Sequence, residues 1–247
     1  MTKVSFQNLI KTDSLEAYKT FSNRITQLVN HNRGINMDVF CRNYGSLANT
    51  FNDEERIPEF TKLSKTLMEF LVSKNVDTIA SIICSALVKL NDRAENSKIV
   101  EDLAVRGMAI AKRNQDVVHI AARANDINRI LRFKNPGSKK HLKYLQIQNE
   151  ALKDICRNYD SDRIQHYKMT NIDLAPIENY EMRLFHVKLD IATYTFFKDP
   201  KYAIYEYEEA KALYEKNKDK YSEDMISIAE KRIKTIEEKI KKLKTIL

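Results

Sequence analysis

The chain has no tryptophan, and its 247 residues include only four glycines, four prolines and three cysteines. Each scarcity excludes something. With so few glycines and prolines there is little material for tight hairpin turns or glycine-rich phosphate loops. No Gly-x-x-x-x-Gly-Lys, Gly-x-Gly-x-x-Gly or Gly-x-Ser-x-Gly occurs. Cys41, Cys84 and Cys156 are far apart and odd in number, which argues against a disulfide framework and for a reducing compartment. There is no Cys-x-x-Cys, and no two histidines lie four residues apart. Neither a metal site nor a cofactor is expected. Long apolar runs are missing as well. The most apolar stretch, 79–88, is ten residues long, half of the roughly 20 that span a bilayer. Residues 1–11 lack the apolar run of a signal peptide. The expectation is a cytoplasmic protein that does not enter a membrane.

What is present favours helix. Hydrophobic residues make up 43% of the chain, enough for a substantial core. Apolar residues recur at three- and four-residue spacing almost throughout, as in Leu15, Tyr18, Phe21, Ile25 and Leu28, or Phe60, Leu63, Leu67, Phe70 and Leu71. The breaks between these stretches repeat. Asn36-Met37-Asp38, Asn75-Val76-Asp77 and Asn114-Gln115-Asp116 are 39 residues apart, Asn158-Tyr159-Asp160 follows after 44, and Asp199-Pro200 stands in the equivalent place further on. In this pattern Asn adopts the left-handed conformation that stops a helix. Asp caps the next helix, and Pro200 suits a first turn. Recurrence at about 40 residues predicts an all-α, right-handed α-solenoid of about five helical hairpins in a single domain, 1–247. The hairpins pivot near 35, 75, 114, 158 and 199. The longest irregular stretch, 170–179, is the expected bend, and a final helix over 222–247 is expected to cap the array.

Residues 190–216 carry a family resemblance. Ala203, Tyr207 and Ala210 in "FFKDPKYAIYEYEEAKALYEK", with Tyr194 on the preceding helix, resemble the packing pattern of a tetratricopeptide repeat. Ile191 stands where that family has a small residue, Glu215 stands where it has a closing Pro, and the period here is longer. The resemblance implies a non-catalytic scaffold that binds proteins or peptides. Tyr202 and Tyr205 project away from the Ala203, Tyr207 and Ala210 stripe and could line a concave binding face, while core packing is the favoured reading for most of the tyrosines.

Charge is distributed unevenly. Residues 1–105 carry 13 basic and 13 acidic side chains, and residues 150–247 carry 19 of each. The whole net charge of +8 therefore sits in 106–149. Arg123, Arg129, Arg132, Lys134, Lys139, Lys140 and Lys143, with Tyr144 among them, are the candidate partner-binding residues. Such a cluster suits an acidic protein or peptide. RNA is the alternative partner, with Phe133 and Tyr144 available to stack on bases.

Inside the same region, Arg113-Asn114-x4-His119 resembles the Arg-polar-x4-His signature of HEPN ribonucleases. That resemblance implies His119 as a general acid or base on a ribose hydroxyl and Arg113 as the phosphate-stabilising group. The competing reading is that Arg-Asn-x-Asp is one copy of the recurring turn, in which Cys41, Ala80 and Arg163 take the position of the histidine. The turn is the favoured reading. Near the end of the chain, Ile226, Ala229, Ile233, Ile236, Ile240, Leu243 and Leu247 form a heptad stripe that either covers the last hairpin or supports self-association through 222–247.

Overall fold

The computed structural model describes residues 6–92, 94–169 and 174–244, with side chains for all of these except 94, 166–169 and 242–244. Among the described residues there are twelve α-helices, two short 3-10 turns and no strand. The fold is all-α and solenoid-like, with consecutive helices packed side by side. It falls into two compact units, Met1–Asp116 and Val117–Leu247.

The first unit contains α1 (Phe6–Thr12), α2 (Ser14–Asn30), α3 (Met37–Asp53), α4 (Ile57–Ser73), α5 (Asp77–Leu90) and α6 (Ser97–Arg113). The aromatic positions of α2, α3 and α4 meet in one cluster. Phe60 is fully buried, with ring centroids of Phe51, Tyr44 and Tyr18 at 5.2, 5.3 and 5.6 Å. The Tyr18 hydroxyl donates to Ser64 at 3.2 Å, and burial pushes its phenol up to about 12.

The recurring turns obey a rule that differs in detail from the sequence expectation. Four helices in this unit stop on a left-handed residue, and in each case the following amide closes a six-residue loop onto the helix. These residues are Asn32, Glu55, Asn75 and Gln115, and the closing bonds include Val76 N–H to the Leu71 carbonyl and Asp116 N–H to the Ala111 carbonyl. Only Asn75 is the asparagine the repeat pattern predicts. Asn36 instead caps the start of α3, accepting from the Val39 amide at 3.0 Å. Asp77 does not cap α5 but pairs with Arg113 at 2.5 Å. Asp13 and Asp199 do cap their helices, accepting from the amides of Glu16 and Tyr202.

The second unit contains α7 (Val117–Lys134), α8 (Lys139–Arg157), α9 (Asp162–Met169), α10 (Ile177–Thr195), α11 (Pro200–Asn217) and α12 (Glu223–Lys244). Its extensive pairings are α7 with α8, α8 with α10, and α10 with α11. The fourth turn, at 158–160, leads only into the short α9, so α8 finds its main neighbour one helix further along. Residues 170–173, within the expected bend, lie outside the described residues. Gly137 makes the α7–α8 connection tight. It is left-handed at φ 69°, and a Cβ there would come within 3.1 Å of the Tyr194 ring.

Helix α10 is the central wall of this unit. Leu184, Val187 and Ile191 face a cluster from α7, α8 and α9, while Phe185, Leu189 and Ala192 face one from α11 and α12. An element buried on two sides is apolar around most of its circumference. Its buried charges are each matched: Glu181 by Lys216 at 2.6 Å, Lys188 by Glu206 at 2.7 Å, and Asp190 by Arg132 and Arg232. The heptad stripe of α12 is part of the same core. Ala229, Ile233 and Ile236 are buried in it, with Ile226 and Ile240 packed alongside. The stripe thus covers α10 and α11, as the first of its two readings expects. The Leu243 side chain and Leu247 lie outside the described residues.

Candidate binding site: an arginine-lined cleft

Within the second unit, α7, α8, α10 and α12 leave a cleft of about 610 Å³, within the usual range of ligand pockets. Asn125, Asn128, Arg129 and Arg132 reach it from α7, at the spacing that aligns residues on one helix face. Arg183, His186, Asp190 and Tyr194 reach it from α10, Gln148 from α8 and Arg232 from α12. Four arginines therefore face one carboxylate. The first unit has a larger cavity, about 810 Å³, but its lysines Lys62 and Lys65 are balanced by Glu55 and Glu95. It has no comparable excess of either sign.

The hydrogen bonds of the cleft form a connected set. Asp190 is almost fully buried, and each of its oxygens takes one guanidinium, Oδ2 from Arg132 and Oδ1 from Arg232 at 2.5 Å. Arg232 also donates to Nδ1 of His186 at 2.7 Å. Nδ1 is thus the acceptor, and the ring proton sits on Nε2. Burial, then the Arg232 charge, holds the His186 imidazole down at about 4, so it is neutral at physiological pH. Alongside, Asn128 Nδ2 donates to Gln148 Oε1 at 2.8 Å and Gln148 Nε2 to Asn125 Oδ1 at 3.2 Å. Asn128, 2% exposed, keeps its own carboxamide oxygen without a partner. The Tyr194 ring packs on His141 at 5.0 Å, and Arg183 lies over Tyr180 at 5.6 Å.

A pH dependence follows from His186. Unfolded, it takes up a proton near 6.5; folded, only near 4. Its contribution is complete above about 6.5 and is lost as the pH falls towards 4, by roughly 3 kcal/mol in all. The wild-type melting temperature should fall more between pH 7 and pH 4.5 than that of His186→Gln. Parallel curves for the two proteins would contradict this account.

The sequence-predicted residues separate into groups. Arg129 and Arg132 line the cleft. Arg123 does not belong to an exposed patch: it is 8% exposed and pairs with Asp126 at 3.3 Å. Its position on α7 points inward, because it follows the buried Ala121 and precedes the buried Ala124 and Ile127. Lys134, Lys139, Lys140 and Lys143 are exposed and Tyr144 half-buried, and none lines the cleft. Phe133 is 83% exposed. The basic stretch 106–149 also straddles the two units, since Arg106, Lys112 and Arg113 belong to the first. Arg106 pairs there with Glu69, and Arg113 pairs with Asp77. His119 is buried on α7 of the second unit.

Sequence reasoning missed Arg183, His186, Asp190 and Arg232. They lie in the part of the chain whose charges sum to zero, so counting by region hides them. The recoverable signal was the polar stripe 183, 186, 190 and 194, at the spacing that aligns residues on one helix face.

Among the described residues no group of three or more His, Cys, Asp or Glu could hold a metal ion, and no helix is long and apolar enough to cross a membrane. No family model matches the sequence, and no curated protein does. Among solved structures, the chain is similar to the crystal structure of BtubC (BKLC) from P. vanneervenii, with 14% identity, 89% of this chain and 94% of that chain covered, and a TM-score of 0.38.

Proposed function

We propose that this chain is a non-catalytic adaptor that binds an acidic segment of a partner protein, with the cleft of the second unit as the main contact. The observation that carries this reading is the surplus of guanidinium over carboxylate in one concave site, Arg132, Arg183 and Arg232 against Asp190. Guanidinium forks pair with carboxylates and phosphates in two-point geometry, so an anionic side chain entering the cleft meets preformed donors. The tetratricopeptide-like pattern agrees with an adaptor role, and Ala203, Tyr207 and Ala210 are buried as that pattern requires. Catalysis has less support. Arg113 is engaged by Asp77.

Nucleic-acid binding is the second reading, favoured by the exposure of Phe133 between Arg132 and Lys134. An affinity pull-down with and without nuclease treatment separates the two. The wild-type chain should retain a protein partner after nuclease treatment. The double variant Arg129→Glu/Arg183→Glu should lose at least about tenfold of that binding, the scale of one or two charge-assisted contacts. Recovery of the same partners by the double variant would refute the cleft as the contact.

A further inference from the structure

Resting on that reading, we infer that the anion the cleft accepts is a phosphomonoester, carried on a phosphorylated serine or threonine of the partner segment.

The argument begins with charge. His186 is neutral, so Arg132, Arg183 and Arg232 set three positive charges in the lining against the one negative charge of Asp190. Asp190 is already shared between Arg132 and Arg232. One incoming carboxylate would leave part of the remaining surplus in place, whereas a phosphomonoester brings close to two negative charges at neutral pH. Donor geometry agrees. A phosphomonoester has three terminal oxygens, each able to accept more than one hydrogen bond, and the cleft presents guanidinium forks from three helices, α7, α10 and α12. The Nε2–H of His186 is a further, uncharged donor.

Shape decides against nucleic acid as the source of the phosphate. Backbone phosphates come as a track with bases stacked between them, and single-strand binders provide open aromatic faces for those bases. The aromatic ring in this cleft is Tyr194, already packed against His141 and close above Gly137. The exposed Phe133 is not part of the lining.

The test uses the full chain and three immobilised degenerate peptide libraries, identical but for a central phosphoserine, glutamate or serine, together with a ten-nucleotide oligouridylate. Retention by the phosphoserine library at least about tenfold above the glutamate library is expected. That preference should be lost in Arg129→Glu/Arg183→Glu. Arg132→Lys, which keeps the charge but removes the fork, should bring phosphoserine retention down towards the glutamate level. Equal retention by phosphoserine and glutamate, abolished by the double variant, would overturn the phosphate assignment and leave the acidic-partner reading standing. No retention on either library would overturn both. Tighter, variant-sensitive binding of the oligouridylate would overturn the assignment in favour of nucleic acid. Circular dichroism of each variant establishes that it is folded before its binding is compared.

Discussion

Lys188→Ala should destabilise the second unit by about 3–5 kcal/mol, because it strands a carboxylate in the core. Lys188 and Glu206 are each 1% exposed, and their charged atoms meet at 2.7 Å between α10 and α11. Neither group has water to fall back on. Removing the ammonium leaves Glu206 desolvated and uncompensated, apart from what protonation relieves. The paired change Lys188→Met/Glu206→Leu removes both charges while roughly preserving volume. It should recover most of the loss, since well-packed apolar replacements of buried ion pairs are often neutral or better. Denaturant unfolding followed by tyrosine fluorescence suits this measurement: there is no tryptophan, and seven of the twelve tyrosines lie between 180 and 221. A single variant as stable as wild type would show that Glu206 is not confined as described. The pair also matters for the cleft. Lys188 lies between His186 and Asp190 on the same helix and points to the opposite side, so its anchorage to α11 fixes the rotation of α10 that aims those two residues inward.

Phe60→Ala should cost the first unit about 3–5 kcal/mol, the range for truncating a fully buried aromatic. Phe60 is the common neighbour of Tyr18, Tyr44 and Phe51, and all four rings come from three different helices. Loss of the ring removes apolar burial and opens a hole that these stiff neighbours fill poorly. Edge-to-face contacts, such as the 85° arrangement with Tyr18, are lost as well. Phe60→Leu retains much of the volume and should cost appreciably less. Thermal unfolding followed by circular dichroism tests both; equal effects of Ala and Leu would mean that the site collapses and no cavity term exists.

The helices were legible because amphipathic periodicity is a local property. The apolar stripes of α2 and α4 and the final heptad stripe each mark a buried face, and the structure places those faces in the core. The cap at Asp199 was legible for the same reason. The helix stops were less so, because the left-handed position is set by where the last turn ends, and Glu55 and Gln115 occupy it without any compositional signature. The cleft was half legible. Arg129 and Arg132 stand out in a stretch without acids, but their partners Arg183 and Arg232 lie 51 to 103 residues away in the chain's neutral part, and only packing unites them. Arg123 was misread because a count of charge is blind to helix face.

Asp190 gives the cleft a further property. Its carboxylate holds the Arg132 and Arg232 forks as an outside anion would, so the cleft carries an internal competitor. The forks need not be gathered when a ligand arrives, which lowers the ordering cost of binding. The ligand must, however, share them with Asp190 or displace it. Under the proposed role, such a site would favour association that is selective and readily reversed, the behaviour suited to a contact that is made and released as its partner changes state.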